Sequence, residues 1–365
     1  MKQRRELVAS VSEFIRTPPF TDNPSSIRAH LLRNLADLTE FHRNYCEPYG
    51  RILKKLFPQY EEPRSLSDIP YIPVQLFKTL TLRSIKPDEI VKTMTSSGTS
   101  GVAPSKVYLD RETASLQSKA LAQIMSSILG KARVPMLVID SPSTATDRSE
   151  FSARGAGIRG FSMFGRPIMF ALDEKMTPHL GAVKEFSALH GQDKVLLFGF
   201  TSVVWESLLE NLRNHNEKVS LPHAILLHGG GWKKLTSLAV SATEFAESAK
   251  TFLGVQRVIN YYGMVEQTGS IFLECENHVL HASTYGDVII RDAITHSPLP
   301  HGEEGLVQSI SVLPLSYPGH SILTEDRGVI LGQDDCSCGR SGTYFRVLGR
   351  IKDAEVRGCS DAVAK

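Results

Sequence analysis

Long apolar runs are missing from this sequence: the longest, such as Val195–Phe200, stop far short of the ~20 residues a membrane-spanning helix needs, so no spanning segment is expected. Charge of one sign is missing as well. Lys plus Arg is 41 and Asp plus Glu is 39, a formal net charge of +2. That balance speaks against wrapping nucleic acid and leaves small molecules or proteins as the expected partners. Cysteine is scarce, with five residues (Cys46, Cys275, Cys336, Cys338, Cys359) at irregular spacing. An odd count of that kind argues against a disulfide framework and for free thiols or metal ligands. The basic start Met1-Lys2-Gln3-Arg4-Arg5 runs into Glu6 and Glu13 without the apolar core of a signal peptide, so a cytoplasmic location is expected. No internal repeat is visible. The 365 residues suffice for one large domain, or a large one with a small companion, at roughly 100–200 residues per domain. A composition of 41% hydrophobic and 22% charged residues is too apolar for a disordered chain.

From Ser26 to Leu56 apolar side chains recur at three- and four-residue spacing (Leu31, Leu32, Leu35, Leu38, Phe41), with Tyr45 and Tyr49 continuing the face. This predicts a helical stretch packed on a core. Pro58, Pro63, Pro70 and Pro73 interrupt any helix and mark a connection ending at Val74-Gln75-Leu76-Phe77. From residue 106 the rhythm changes. Strand-length runs at Val107–Leu109, Met136–Ile139, Val195–Phe198, Ala224–Leu227 and Val255–Ile259 alternate with helical patterns at Thr113–Leu129, about Thr201–Leu212 and Thr236–Phe252. That alternation predicts an α/β fold with a buried, mainly parallel sheet flanked by helices. Beyond Gly269 only short strand-like runs remain (Ile271–Leu273, Asp287–Ile290, Gly305–Ile310), predicting a smaller, more antiparallel β layer. Ser141–Gly160, rich in Ser, Thr, Gly and Arg, reads as a long loop.

Three loops carry candidate chemistry. Thr95-Ser96-Ser97-Gly98-Thr99-Ser100-Gly101, with Lys106 close behind, gathers hydroxyls, glycines and a lysine just before a strand. Glycines let backbone amides approach an anion, hydroxyls add donors and lysine adds charge, which suits a polyphosphate; alone, the run also reads as a solvent loop. It has neither the P-loop nor the dinucleotide glycine spacing. His228-Gly229-Gly230-Gly231-Trp232 follows an apolar run and so falls at a strand's C-terminal end, where open α/β sheets bind ligands. An esterase oxyanion loop would need a G-x-S-x-G elbow, which does not occur in the chain, and a plain glycine turn is the bland alternative. Asn260 to Gly269 follows another strand: Tyr262 can stack on a purine, and Glu266 can hold a Mg²⁺ that also binds phosphate oxygens.

Taken together and in order, these loops resemble the signature of the adenylate-forming enzymes. Ser96 to Gly101 with Lys106 resembles their phosphate loop, and Tyr262-Gly263 with Glu266 their Tyr-Gly-x-x-Glu adenine and magnesium motif. Thr324-Glu325-Asp326 resembles the aspartate motif that binds ribose hydroxyls, and Gly349-Arg350 with Asp353 the Gly-Arg hinge motif. Within that superfamily the chain is most similar to the LuxE-type acyl-protein synthetases of bacterial fatty-acid reductase complexes, from about Ile69 onward. Thr95 to Gly101 with Pro104-Ser105-Lys106, His228 to Lys233, Tyr262 to Gly269 and Arg357-Gly358-Cys359-Ser360-Asp361 carry that likeness. The phenylacetate-CoA ligases share the Cys-x-Cys-Gly-Arg run. The resemblance implies the N-terminal-domain fold of an adenylate-forming enzyme, with 1–105 as its helical part and phosphate loop, 106–268 as the α/β core, 269–348 as a β-rich subdomain and 349–365 as a hinge remnant and cysteine-bearing tail. Superfamily members continue past the hinge into a mobile domain, whereas here fifteen residues follow Arg350, so that domain is expected to be lacking.

The resemblance implies ATP and Mg²⁺ as cofactors, a fatty (acyl) carboxylate as substrate and an acyl-adenylate intermediate, with no nucleic acid or membrane involved. Cys359, nine residues past Arg350, is the expected acyl acceptor: at up to ~3.6 Å per residue an extended arm could carry its sulfur roughly 30 Å. Arg357 nearby would favour the thiolate; an inert tail cysteine is the alternative. The acyl-enzyme would then pass its chain to an acyl-CoA reductase-type partner in an oligomeric complex. Competing readings are a phenylacetate-type aryl- or acyl-CoA ligase, with Cys359 idle, and a catalytically silent nucleotide-binding scaffold. Cys275, His281, Cys336 and Cys338 form a set suited to tetrahedral zinc, with His278 as a competing ligand and separate thiols as the alternative. Phe198, Phe200, Trp205 and Trp232 could line an acyl tunnel or simply be core.

Overall fold

The computed structural model describes residues 2–21, 24–96, 104–146, 153–231 and 240–351. These fall into two compact units: a larger one drawn from the described residues of 1–95, 103–127 and 263–355, and a smaller one from those of 96–102, 128–262 and 356–365.

The larger unit begins with helices Lys2–Phe14, Pro24–Tyr45 and Glu47–Leu56. Leu31, Leu35, Leu38 and Phe41 are buried as their spacing requires. The helical stretch expected from Ser26 to Leu56 is nevertheless two helices. Pro48 has no amide hydrogen for the carbonyl four residues back, and Cys46 starts a new helix, its carbonyl accepting from the Gly50 amide at 2.9 Å. The break turns Tyr45 outward at 48% exposure while Tyr49 goes inside at 1%. Along the chain follow β1 (Ile72–Pro73), helix Leu76–Thr79, and the hairpin of β2 (Lys92–Thr95) and β3 (Lys106–Leu109).

The smaller unit holds β4 (Val134–Ile139), β5 (Gly165–Phe170), β6 (Val195–Phe200), β7 (Ala224–Gly229) and β8 (Arg257–Tyr262). All pair in parallel, in the spatial order β5-β4-β6-β7-β8. Every residue of β6 and β7 is buried, as near-continuous apolar runs covered on both faces must be. Helix Ala242–Leu253 starts on Ser241, whose hydroxyl accepts from the Glu244 amide at 3.1 Å, and ends on Gly254 in the left-handed region at φ 70°. Phe245, Ala249 and Leu253 on that helix join Phe186, Leu197, Leu208 and Leu226 in the core.

Three expectations are corrected here. Ser141–Gly160 contains helix Pro142–Thr146 and the start of helix Ala153–Phe161; Ile158 and Phe161 supply an apolar face that the small and polar residues around them obscure. The strand expected at Val255–Ile259 runs instead over Arg257–Tyr262, since Val255 and Gln256 complete the turn after Gly254. The helix expected at Thr236–Phe252 begins instead at Ala242, because the Ser241 cap starts it there and Val240 is outside it; 236–239 lie outside the described residues.

The remaining strands return to the larger unit: β9 (Phe272–Glu274), β10 (Leu280–His281), β11 (Gly286–Arg291), β12 (Glu304–Ser311), β13 (Ser321–Gln333) and β14 (Thr343–Arg350). They pair antiparallel in the order β11-β12-β13-β14-β10-β9, with β1 added in parallel to β13. This is the antiparallel layer expected beyond Gly269, and the α/β class with a parallel sheet holds for the smaller unit. Among the described residues no helix is long and apolar enough to cross a membrane.

Candidate active site

In the larger unit the β2–β3 hairpin pairs Thr95 directly with Lys106, so the residues flanking the Gly-rich run face each other across one ladder. Val107 and Leu109 are buried while Lys106, at the strand's start, is exposed, the alternation that a one-sided hairpin demands. Ser96 is half-buried after β2, and Ser97, Gly98, Thr99, Ser100 and Gly101 lie outside the described residues. Ser105, just before β3, is buried.

Glu266 sits in the short turn Val265–Gln267, buried at 5% exposure. The turn is clamped from several sides. The Glu266 carbonyl accepts from the Tyr317 hydroxyl at 2.9 Å, and the Gln267 side-chain amide donates to the carbonyls of Ser309 (3.0 Å) and Gly319 (2.8 Å). Gly269 closes it at φ 88°, and a Cβ there would lie 2.5 Å from the Gln117 carbonyl oxygen, so only glycine fits. Burial pushes the Glu266 carboxyl above the ordinary carboxylate range, against the Ser105 side chain, its own backbone amide, and the charges of Lys78 and Arg350.

Arg350 also ties together two further motifs. Asp326 on β13 and Arg350 on β14 are register partners. The Arg350 Nε donates to Asp326 Oδ1 at 3.3 Å, and its Nη1 lies 3.9 Å from Glu325 Oε2. The Thr324 hydroxyl, which donates to the Val307 carbonyl at 2.8 Å, accepts from the Asp326 amide at 3.1 Å. Thus Ser105, Glu266 and Arg350, remote from one another in sequence, share one electrostatic neighbourhood, to which Asp326 is tied through Arg350.

The smaller unit carries the second glycine loop. His228 and Gly229 end β7, and Gly230 and Gly231 follow with φ of 85° and 63°, a left-handed pair that glycine alone adopts without strain. The His228 Nδ1 lies 2.9 Å from the Thr201 hydroxyl oxygen, and its ring packs 4.4 Å from that of Phe245. Burial drives the His228 pKa down to about 3, so it is neutral at ordinary pH. Tyr262 ends β8, half-buried, and at Gly263 the chain returns to the larger unit. The neighbouring Tyr261 ring packs on Phe161 at 5.1 Å, an approach that needs Gly229: a Cβ there would be 2.6 Å from the Tyr261 ring. Phe198 and Phe200 belong to this aromatic packing, and Trp205 is in the core against Phe245. Trp232, Asp353, Arg357 and Cys359 lie outside the described residues.

The larger unit also holds a cluster that could bind a metal ion: one ligand atom each from Cys275, His281, Cys336 and Cys338, all within 4.8 Å of one another. His278 is not part of it. Its ring is turned out, with Nδ1 3.8 Å from Glu274.

Residues 21–365 match the family model described as Acyl-protein synthetase, LuxE. The chain belongs to the LuxE family of acyl-protein synthetases. Its relative in Vibrio harveyi, a long-chain-fatty-acid–luciferin-component ligase, is 23% identical over 337 residues, 87% of this chain and 81% of the relative. Among solved structures, 2-hydroxyisobutyryl-CoA ligase in an open conformation with 2-HIB-AMP and CoA superposes with a TM-score of 0.67 at 16% identity, covering 92% of this chain and 77% of the ligase. The same ligase in its postadenylation state with 2-HIB-AMP gives a TM-score of 0.69, covering 92% and 70%. At that identity the likeness is one of fold.

In this LuxE-family protein two members of the Glu266 neighbourhood, Ser105 and Lys78, are not among the site residues expected from the sequence. Ser105 was legible as the residue before Lys106 at the loop's end. Lys78, on the helix Leu76–Thr79, has no sequence signal; only the fold brings its charge to bear on Glu266.

Proposed function

We propose that this acyl-protein synthetase activates a fatty carboxylate with ATP and Mg²⁺ as an acyl-adenylate, and then carries the acyl group on Cys359 as a thioester for a partner reductase. The observation that carries the reading is the convergence of Ser105, Glu266, Arg350 and Asp326 in the larger unit. A buried carboxylate held above its usual range is a group whose ionised form gains most from a divalent cation, and Glu266 would hold that Mg²⁺ against phosphate oxygens. Lys106 and the backbone of the 95–101 loop would bind the phosphates, and Asp326, positioned by Arg350, the ribose hydroxyls.

In the first step a carboxylate oxygen attacks the α-phosphorus and pyrophosphate leaves. Lys106 would neutralise charge that develops on the phosphates, and a Mg²⁺ held by Glu266 would supply further charge neutralisation there. In the second, the Cys359 thiolate attacks the acyl carbonyl and AMP departs with its phosphate oxygen. The name of the Vibrio harveyi relative supports a long-chain acyl group. A metal in the Cys/His cluster has no place in this chemistry, since four protein ligands leave no open position.

Fatty-acid-dependent exchange of labelled pyrophosphate into ATP tests the reading. Wild type and Cys359→Ser should both exchange, and only wild type should retain radiolabelled acyl chain after denaturation. Exchange with acyl transfer to coenzyme A and no protein label would instead indicate a CoA ligase, and absence of exchange with every fatty acid a silent scaffold.

A further inference from the structure

We propose that Cys275, His281, Cys336 and Cys338 bind one Zn²⁺ in a closed, structural site that fixes the turn end of the β13–β14 hairpin. The four side chains come from two turns that are distant in sequence. Cys275 follows β9 and His281 ends β10, joined by a tight turn in which the His278 amide donates to the Cys275 carbonyl at 3.0 Å and His278 takes φ 56°. Cys336 and Cys338 lie in the connection from β13 to β14, which turns at Gly339 with φ 78°. Antiparallel pairing of β10 with β14 brings the two turns side by side.

The geometry fits a tetrahedral ion. With Zn–S about 2.3 Å and Zn–N about 2.0 Å, the S···N edge of a regular tetrahedron is about 3.5 Å and the S···S edge about 3.8 Å. Cys338 Sγ and His281 Nε2 are 3.4 Å apart, and the whole set lies within 4.8 Å, so small rotations close it. Three thiolates and an imidazole are soft and borderline ligands, which select Zn²⁺ over Mg²⁺ or Ca²⁺.

The surroundings are those of a thiolate site. Backbone amides of Asn277 and Arg340 donate to Cys275 and Cys338, each at 3.4 Å, and the Asn277 side-chain amide donates to Cys336 at 3.3 Å. Each sulfur therefore receives an N–H donor, which favours the ionised form. A Zn²⁺ with three thiolates carries a net charge of −1, and Arg340 stands beside it. That guanidinium donates to the carbonyls of Leu273 and Glu274 and lies 4.7 Å from the centre of the Phe20 ring. The His281 ring stacks on Tyr344 at 5.6 Å. Binding releases the three thiol protons to solvent and leaves His281 neutral.

The consequence reaches along β13 and β14. Their connected end carries Cys336 and Cys338, and their other end carries Asp326 and Arg350. The ion joins that connection to the β9–β10 turn and so sets the strands' register from one end.

The test is metal analysis of the full-length protein purified without chelator, followed by Co²⁺ exchange. The expected result is one zinc per chain and, with Co²⁺, the intense visible bands of tetrahedral cobalt with sulfur-to-cobalt charge transfer in the near ultraviolet. Cys336→Ser and Cys338→Ser should lose the metal, whereas His278→Ala should keep it. Because a cysteine variant could fail to fold, Co²⁺ titration of the chelated wild type, monitored with a thiol reagent, gives the second readout: three thiols should become protected. No zinc and no cobalt spectrum, a cobalt spectrum without charge transfer, or metal retained in both cysteine variants would overturn the proposal.

Discussion

The two polar clusters of the larger unit solve opposite problems. Around Glu266 a single buried carboxylate faces one hydroxyl and charges from two separate elements, an environment that would leave most of the coordination sphere of the proposed cation for other oxygens. Around Cys338, the ligand atoms of three thiols and an imidazole lie within 4.8 Å of one another, a set that would leave no position vacant on a tetrahedral ion. The difference teaches where reaction and where support reside: hard, incomplete coordination suits a cation that arrives with a nucleotide, and soft, complete coordination suits one that stays. Both clusters meet on β13 and β14, one at each end.

The sharpest way to break the comparison is Glu266→Gln. Pyrophosphate exchange should fall by about 10²–10³-fold, while zinc content stays at the wild-type level; unchanged exchange at saturating Mg²⁺ would remove Glu266 from the chemistry. The reciprocal change, Cys338→Ser, should lower stability by about 3 kcal/mol or more, read as a lower Tm and a loss of bound metal. The residual exchange per folded molecule should exceed that of Glu266→Gln.

Acid should act on both units through buried neutral histidines. His42 in the larger unit and His228 in the smaller are each driven down to about 3 by burial. The unfolded chain takes up a proton on each below about 6.5, while the folded protein does not until about 3. Their contribution is therefore full above pH 6.5 and is lost as pH falls toward 3, at about 1.4 kcal/mol per pH unit for each histidine. Denaturant midpoints measured across that window check the slope, and a flat profile would contradict it. The smallest expected effect is that of Ser241→Ala, which removes a helix cap far in sequence from either cluster. It should cost about 1 kcal/mol and leave exchange and metal content untouched.

The legible parts of the molecule are those where one local pattern decides. Val195–Phe198 and Ala224–Leu227 are apolar throughout and short, the pattern of a strand buried on both faces, and each lies within such a strand. Cys336-Ser337-Cys338 is a ligand pair in three residues, and Tyr262 to Glu266 a motif in five. What escaped depends on partners. β5, Gly165–Phe170, alternates poorly because three of its six residues are exposed, and among the described residues it has one strand neighbour. β13 and β14 mix Glu, Asp and Arg into their ladders because Asp326 and Arg350 face each other there. Lys78 bears on the Glu266 carboxyl only through the fold. The helix break at Cys46 was legible in principle, since Pro48 is incompatible with an unbroken ladder, but the strong apolar spacing before it masked the signal.

The most direct measurement is the intact mass of the purified protein after incubation with ATP, Mg²⁺ and a mixture of fatty acids, before and after hydroxylamine. The account predicts an added acyl mass, removed by hydroxylamine, mapping by peptide analysis to Cys359 and absent from Cys359→Ser. An adduct that survives in Cys359→Ser, or pyrophosphate release with no adduct at all, would contradict it.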